Sequence, residues 1–347
     1  MGDWVWWIVV GSLVGTGVFA LVVVLAQWYY RHRYLDHVVR IFEEKPLFII
    51  PRGNPVPGAE DVHFETSNGC TLRGCYLTGR GSRRGVILFG LEFGCNRWAC
   101  VQYCTMLLDR GYDVFAYEPR NQGESDRDPN YAPLQWVTDR DVIDMKAAVL
   151  YLKRRKDAPA GGIGLFGISK GASVAMVLAA NDPWVRCIAT DGAYGTYTTM
   201  VPYMRRWVSI YIKTATRLRA FVPDWFYGLI GLAAIRESAS RRGVKFVSVE
   251  RALRRLDLPL LMIHGSGDTY IKPEMAETLF EKAGTPHKVL WMVNGAKHNQ
   301  ALNVAGTEYA RRLEEFFDKH LADGDSVTTT PLPHLPTQPR RAAIVAK

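Results

Sequence analysis

The stretch GIGLFGISKGASVAMVLAA, residues 162–180, decides the fold. Residues 163–166 are a short apolar run that reads as a buried strand, and residues 172–180 read as a helix apolar on all sides. Between them stands Gly167-Ile168-Ser169-Lys170-Gly171, a G-x-S-x-G sequence. A strand that enters a helix through so tight a turn strains the serine and holds its hydroxyl above the sheet edge. The flanking glycines leave room for neighbouring backbone. The helix N-terminus then lies beneath the hydroxyl, where it stabilises developing negative charge. Ser169 is therefore the candidate nucleophile. The competing reading is a structural turn whose serine merely caps the helix.

On either side of this elbow, strands and helices alternate. Residues 62–67 and 71–77 read as strands joined by Asn68-Gly69, a strong hairpin signal. Strands follow at 86–89 and 113–117, with a helix over 97–110 between them, and residues 118–125 form a polar loop. The stripe Val142, Met145, Val149 and Leu152 predicts a helix over 138–155. After the elbow come a strand at 185–190, a strand at 259–264, a helix at 273–283, a strand at 288–292 and a last helix at 307–320. Such alternation predicts a mostly parallel sheet covered on both faces. The pattern breaks over 192–255, where Tyr194, Tyr197, Tyr203, Trp207 and Trp225 mix with Arg205, Arg206, Lys213, Arg217 and Arg219; this stretch reads as a helical lid. The core is thus expected in two parts, 61–191 and 256–322, followed by a disordered Thr/Pro-rich tail over 323–347.

Residues 4–26 contain no charge and at ~1.5 Å per residue reach about 35 Å, enough to cross a ~30 Å hydrocarbon core. Trp4, Trp6 and Trp7 mark one end and Trp28, Tyr29 and Tyr30 the other, as interfacial aromatics do. A cleaved signal peptide would carry Lys or Arg ahead of the apolar run, and only Asp3 stands there. Residues 1–30 are read as an uncleaved transmembrane anchor and 31–60 as a linker. Arg31, Arg33 and Arg40 place the following domain on the cytoplasmic side. A chain starting near Lys45 is accordingly expected to keep its activity in solution.

The formal charge is +9, but the cations are spread along the chain, so nucleic acid is not an expected partner and an anionic membrane surface is. The six cysteines form no C-x-x-C pair or Cys/His zinc spacing and read as reduced structural thiols. No metal or organic cofactor is expected.

A serine needs a base to take its proton, and the base needs an acid to hold its tautomer. Where a strand–elbow–helix carries a nucleophilic serine, the order is Ser, then Asp or Glu, then His. Of His264, His287, His298 and His320, only His298 lies in a loop just past the carboxyl end of the last strand, where ligands meet open α/β sheets. His264 reads as structural, and His320 as a cation at a helix end. Asp268, in Gly265-Ser266-Gly267-Asp268, is the favoured acid; Asp191 is its competitor and reads as the cap of the insertion. The oxyanion donors are expected to be the amides of Lys170 and Leu91, and the Lys170 side chain an exposed, solubilising one.

Over residues 61–321 the chain resembles the α/β-hydrolase superfamily, nearest its serine aminopeptidase-like, monoacylglycerol-lipase-like and Bem46-like members. The resemblance rests on Gly-Ile-Ser169-Lys-Gly, His264-Gly-x-x-Asp268 and Gly-x-x-His298-Asn299. It also rests on Glu118-Pro-Arg120-Asn-x-Gly123-Glu-Ser125, which is similar to the family's D-x-R-G-x-G-x-S loop. The chain departs from the family at Phe89-Gly90, where a histidine-glycine pair is usual. The resemblance implies an esterase- or lipase-like enzyme acting on a small-molecule or lipid ester. The elbow is also similar to that of acyl-CoA thioesterases, and a non-catalytic scaffold is the reading from another class.

Overall fold

The computed structural model describes residues 3–44, 50–211 and 222–322. In chain order the helices are α1 (Asp3–Glu43), α2 (Cys100–Asp109), α3 (Asp139–Arg154), α4 (Lys170–Ala179), α5 (Thr196–Tyr211), α6 (Asp224–Arg242), α7 (Val249–Leu253), α8 (Pro273–Glu281) and α9 (Ala301–Phe317). The strands are β1 (Glu60–Glu65), β2 (Thr71–Leu77), β3 (Gly85–Gly90), β4 (Tyr112–Glu118), β5 (Ile163–Ile168), β6 (Val185–Asp191), β7 (Leu260–Gly265) and β8 (Lys288–Val293). They form one eight-stranded sheet in the order β1-β2-β4-β3-β5-β6-β7-β8. The hairpin β1–β2 is antiparallel, β2 runs antiparallel to β4, and all other pairs are parallel. This is the α/β-hydrolase fold.

Alternation along the strands sorts the core into two layers. Val86 and Leu88 of β3 point to the layer of α3, α4 and α7, whereas Ile87 and Phe89 point to that of α2 and α9. Helix α3 starts on a capping box, Thr138 and Asp141 each accepting from the other's backbone. The loop after β4 is fastened beneath it, for the buried Arg120 guanidinium lies 2.6 Å from the buried Asp144 carboxylate. Helix α9 kinks at Gly306, whose φ of 43° few residues but glycine adopt, so that a turn of helix from Ala301 precedes the helix expected from about residue 307.

The stretch expected as a linker is corrected in part, because α1 continues unbroken to Glu43. Leu35, Val38, Val39 and Phe42 recur at i, i+3, i+4 and i+7, the spacing of one helix face, and the last three are buried. Phe42 stacks on Trp136 with centroids 4.9 Å apart, and its carbonyl accepts from Trp136 Nε1 at 2.7 Å. Helix α6 runs beside this part of α1: Gln27 Nε2 donates to the Phe226 carbonyl at 3.1 Å, and Arg242 pairs with Glu43 at 2.7 Å. Farther up, the two helices leave an open groove of ≈ 650 Å³, and none of its lining residues belongs to the Ser169 site.

The expected behaviour of a chain starting near Lys45 changes with this packing. Burying Val38, Val39 and Phe42 contributes ~5–9 kcal/mol together, comparable with the whole stability of a domain. A chain starting at Lys45 is expected to lose tens of degrees in Tm or to aggregate, and a chain starting at Arg31 to fold and stay active. Thermal melts and rates of the two chains check this; equal Tm values would mean that the α1 contacts add nothing to stability.

After β6 the described chain carries α5, α6 and α7 outside the sheet and returns beside α3, where Val247 N donates to the Val137 carbonyl at 2.9 Å. Helices α5 and α6 enclose an apolar cluster of Met200, Met204, Tyr227 and Ile230 with Trp136, Ile271 and the end of α1. Lys213, Arg217 and Arg219, and the tail 323–347, lie outside the described residues.

Candidate active site

The elbow has the strain its sequence predicts. Ser169 sits at φ 52°, ψ −117°, between the end of β5 and the start of α4. A side chain at Gly171 would meet the Gly90 carbonyl oxygen at 2.2 Å, and one at Gly167 the Cα of Ala172 at 2.7 Å. Both neighbours must therefore be glycine for β3, β5 and α4 to close up. The Ser169 amide donates to the Asp191 carbonyl at 2.8 Å, which fixes the turn to the end of β6.

The structure brings Ser169, His298 and Asp268 together from three loops at the carboxyl end of the sheet. Ser169 Oγ lies 3.0 Å from His298 Nε2, and His298 Nδ1 lies 2.6 Å from Asp268 Oδ2. Asp268 Oδ1 accepts from the amides of Tyr270 and Ile271 at 2.8 and 2.9 Å, so the carboxylate is held from two sides. A carboxylate can only accept, so it fixes the proton on Nδ1 and leaves Nε2 free to accept from the serine. The side chains of Asp268 and His298 are 1% and 8% exposed, which keeps this pair largely out of competition with water.

Asp191 is turned elsewhere. Fully buried at the end of β6, it accepts from Tyr309 of α9 at 3.0 Å and neither touches His298 Nδ1 nor caps the insertion. Burial pushes its carboxyl up to about 7, only partly offset by the Tyr309 hydroxyl. His264 is buried with Nε2 2.7 Å from the Ile271 carbonyl; burial lowers its pKa, in keeping with the structural role expected of it. The cationic reading of His320 is corrected, since burial first and Lys319 second bring its pKa down to about 4.

Leu91 and Lys170 border the elbow: Gly90 pairs in register with Gly167, and Gly171 packs on the carbonyls of Gly90 and Leu91. The expectation of an exposed Lys170 side chain is corrected. It is buried, with Nζ 2.8 Å from Asp141 and 2.7 Å from the Leu134 carbonyl. Its partners come from the segment that enters α3, so nothing local in the sequence announces them.

Sequence reasoning also passed over several residues that line the site. The Tyr270 ring lies 5.5 Å from that of His298, and its hydroxyl bonds to Gln135. Glu92, in the loop after β3, accepts from Asn299 Nδ2 at 2.6 Å. The signal for Glu92 was its place, a carboxylate just past the carboxyl end of a central strand. Among the described residues no group of three or more His, Cys, Asp or Glu side chains is arranged to hold a metal ion.

Comparison with known proteins agrees with this architecture. A family model for the alpha/beta hydrolase fold matches residues 90–251. The chain is 26% identical to the uncharacterized protein YqkD of Bacillus subtilis, over 79% of this chain and 80% of that protein. It is 24% identical to the monoglyceride lipase of Mus musculus, over 72% of this chain and 87% of the lipase. The esterase Pf2001 of Pyrococcus furiosus superposes with a TM-score of 0.59 at 23% identity, covering 80% of this chain and all of the esterase. With its sheet order, its strained elbow and these likenesses, the chain has the α/β-hydrolase fold.

Proposed function

We propose that the chain is a membrane-tethered serine hydrolase that cleaves carboxylic esters. The observation that carries this reading is the continuous hydrogen-bonded line from Ser169 Oγ through His298 to Asp268, starting from a serine at φ 52°. In this mechanism Ser169 Oγ attacks the ester carbonyl carbon while His298 Nε2 takes its proton. Asp268 keeps Nδ1 protonated and stabilises the imidazolium. The tetrahedral oxyanion faces the amides of Lys170 and Leu91, each worth roughly 3 kcal/mol in such sites. Collapse expels the alcohol, which takes the proton from Nε2 and leaves an acyl-serine. Water then attacks the acyl carbonyl with His298 again as base, and Ser169 is regenerated.

The monoglyceride lipase likeness favours an acylglycerol-type ester. Helix α1 is long and apolar enough to cross a membrane, with a mean hydropathy of 2.6 in its most apolar window. We read it as the anchor, with Arg31, Arg33 and Arg40 setting the domain on the cytoplasmic face. Residues 192–255 act as the lid, and Tyr270 and Trp136 carry its apolar wall toward His298. An anionic-ligand preference among the cations of residues 205–219 would favour the thioesterase alternative; of these, Arg205 pairs with Asp224 at 2.6 Å, and Lys213, Arg217 and Arg219 lie outside the described residues.

A fluorophosphonate probe tests the reading without assuming a substrate. One equivalent should attach to the folded protein, and peptide mapping should find it on Ser169. No labelling of folded protein, or labelling of another residue, would overturn the proposal.

A further inference from the structure

The loop that follows β3 supplies the Leu91 amide, and its next residue reaches across the site to the turn that carries His298. Glu92 Oε2 accepts from Asn299 Nδ2 at 2.6 Å, and Glu92 Oε1 lies 3.4 Å from the Tyr103 hydroxyl of α2. Asn299 follows His298 directly and holds a left-handed backbone at φ 55°. Its Oδ1 points the other way, toward Gly192, where a side chain would come within 2.6 Å of it and within 3.3 Å of His298 Cε1. That oxygen is buried without a hydrogen-bond partner among the described residues. An amide that leaves its own oxygen unpaired so as to aim its N–H₂ at a carboxylate is being held by that carboxylate. The reverse orientation would set two oxygens against each other.

We propose that Glu92 is a positioning residue of the hydrolytic site, which through Asn299 ties the turn bearing His298 to the loop bearing the Leu91 amide. The base and one oxyanion donor thereby share a single support. This inference rests on the reading of Ser169, His298 and Asp268 as the hydrolytic group.

The charges around Glu92 give the arrangement a signature in pH. Cys95 of its own loop, Tyr103 of α2, and Asn299 and His298 of the last loop face it; Asp191 at the end of β6 acts on it through space, and Tyr309 of α9 screens Asp191. Burial raises the Glu92 carboxyl, and the Asn299 bond opposes the shift. When ionised, Glu92 attracts positive charge that develops in the site. Removing its charge should therefore move the acid limb of kcat/KM to lower pH.

The experiment compares wild type, Ser169→Ala, Glu92→Gln, Glu92→Ala, Asn299→Gly and the double variant Glu92→Ala/Asn299→Gly. All are full-length chains in detergent, assayed on p-nitrophenyl acetate with Tm measured alongside. Glycine is chosen at 299 because it accepts a positive φ without strain. Losing a hydrogen bond to a charged group should lower kcat about tenfold or more in Glu92→Ala, with KM within about twofold. Asn299→Gly should lose a similar amount, and the double variant no more than either single one. Glu92→Gln, which keeps an acceptor, should lose less and show the shifted acid limb. Unchanged kcat and acid limb in both Glu92 variants would overturn the proposal, as would additive losses that follow Tm alone. A wild type that Ser169→Ala does not silence would overturn the underlying reading instead.

Discussion

Ser169→Ala should lower the hydrolysis of a short p-nitrophenyl ester by about 10⁶-fold, as removal of the nucleophile does in other serine hydrolases. The protein should stay folded, because among the described residues the only side-chain hydrogen bond lost is the one between Oγ and His298 Nε2. The backbone reasons for the turn remain: the Ser169 amide still reaches the Asp191 carbonyl, and Gly167 and Gly171 still admit the neighbouring chain. Alanine at φ 52° is as strained as serine there, so the change neither relieves nor adds backbone cost. The comparison needs turnover, circular dichroism and Tm on both proteins. A variant with wild-type turnover would remove the enzymatic reading altogether. A variant that unfolds would show instead that the His298 contact holds the elbow together.

Asp268→Asn should cost about 10⁴-fold in kcat, by analogy with the same change in other triads. The asparagine keeps an oxygen for the amides of Tyr270 and Ile271 but turns an N–H₂ toward His298. Nδ1 must then accept, Nε2 carries the proton, and the base can no longer take one from Ser169. Asp191→Asn is the control, because that carboxyl touches Tyr309 and not the imidazole, and it should retain activity within about tenfold. Its effect lies in stability. With a folded value of about 7 against an ordinary 3.8, Asp191 binds a proton in the folded state that the unfolded chain has released. The wild type therefore loses stability as pH rises from about 4 to about 7, and asparagine removes that loss. The Tm of Asp191→Asn relative to wild type should rise between pH 5 and pH 8. Reversed effects of the two substitutions on kcat would move the acid to the end of β6.

Much of this was legible in the chain itself. Strand positions came from apolar runs and turn residues because the central strands β3–β7 bury both faces, so a local run suffices to mark them. The elbow could be read because its strain is local: a serine at positive φ needs glycines two residues to either side, and both stand in the sequence. His298 and Asp268 could be placed because strand ends in a parallel sheet all deliver their loops to one edge.

What the sequence could not supply was pairing across elements. Lys170 looks like a surface residue until Asp141 and Leu134 arrive from another layer. Asp191 and Asp268 both end strands, and only the approach of Tyr309 to one and His298 to the other separates them. Residues 31–43 carry a visible stripe at Leu35, Val38, Val39 and Phe42, yet what it packs against is Trp136 and α6, far along the chain. The sequence by itself determined the elements and the sheet class and singled out Ser169 and His298 as candidates, since each depends on local backbone preference and strand order. Tertiary structure alone decided which carboxylate meets the imidazole, which cation is buried and how Glu92 reaches Asn299. Those contacts join residues distant in sequence, and their energies exist only once the layers have closed on one another.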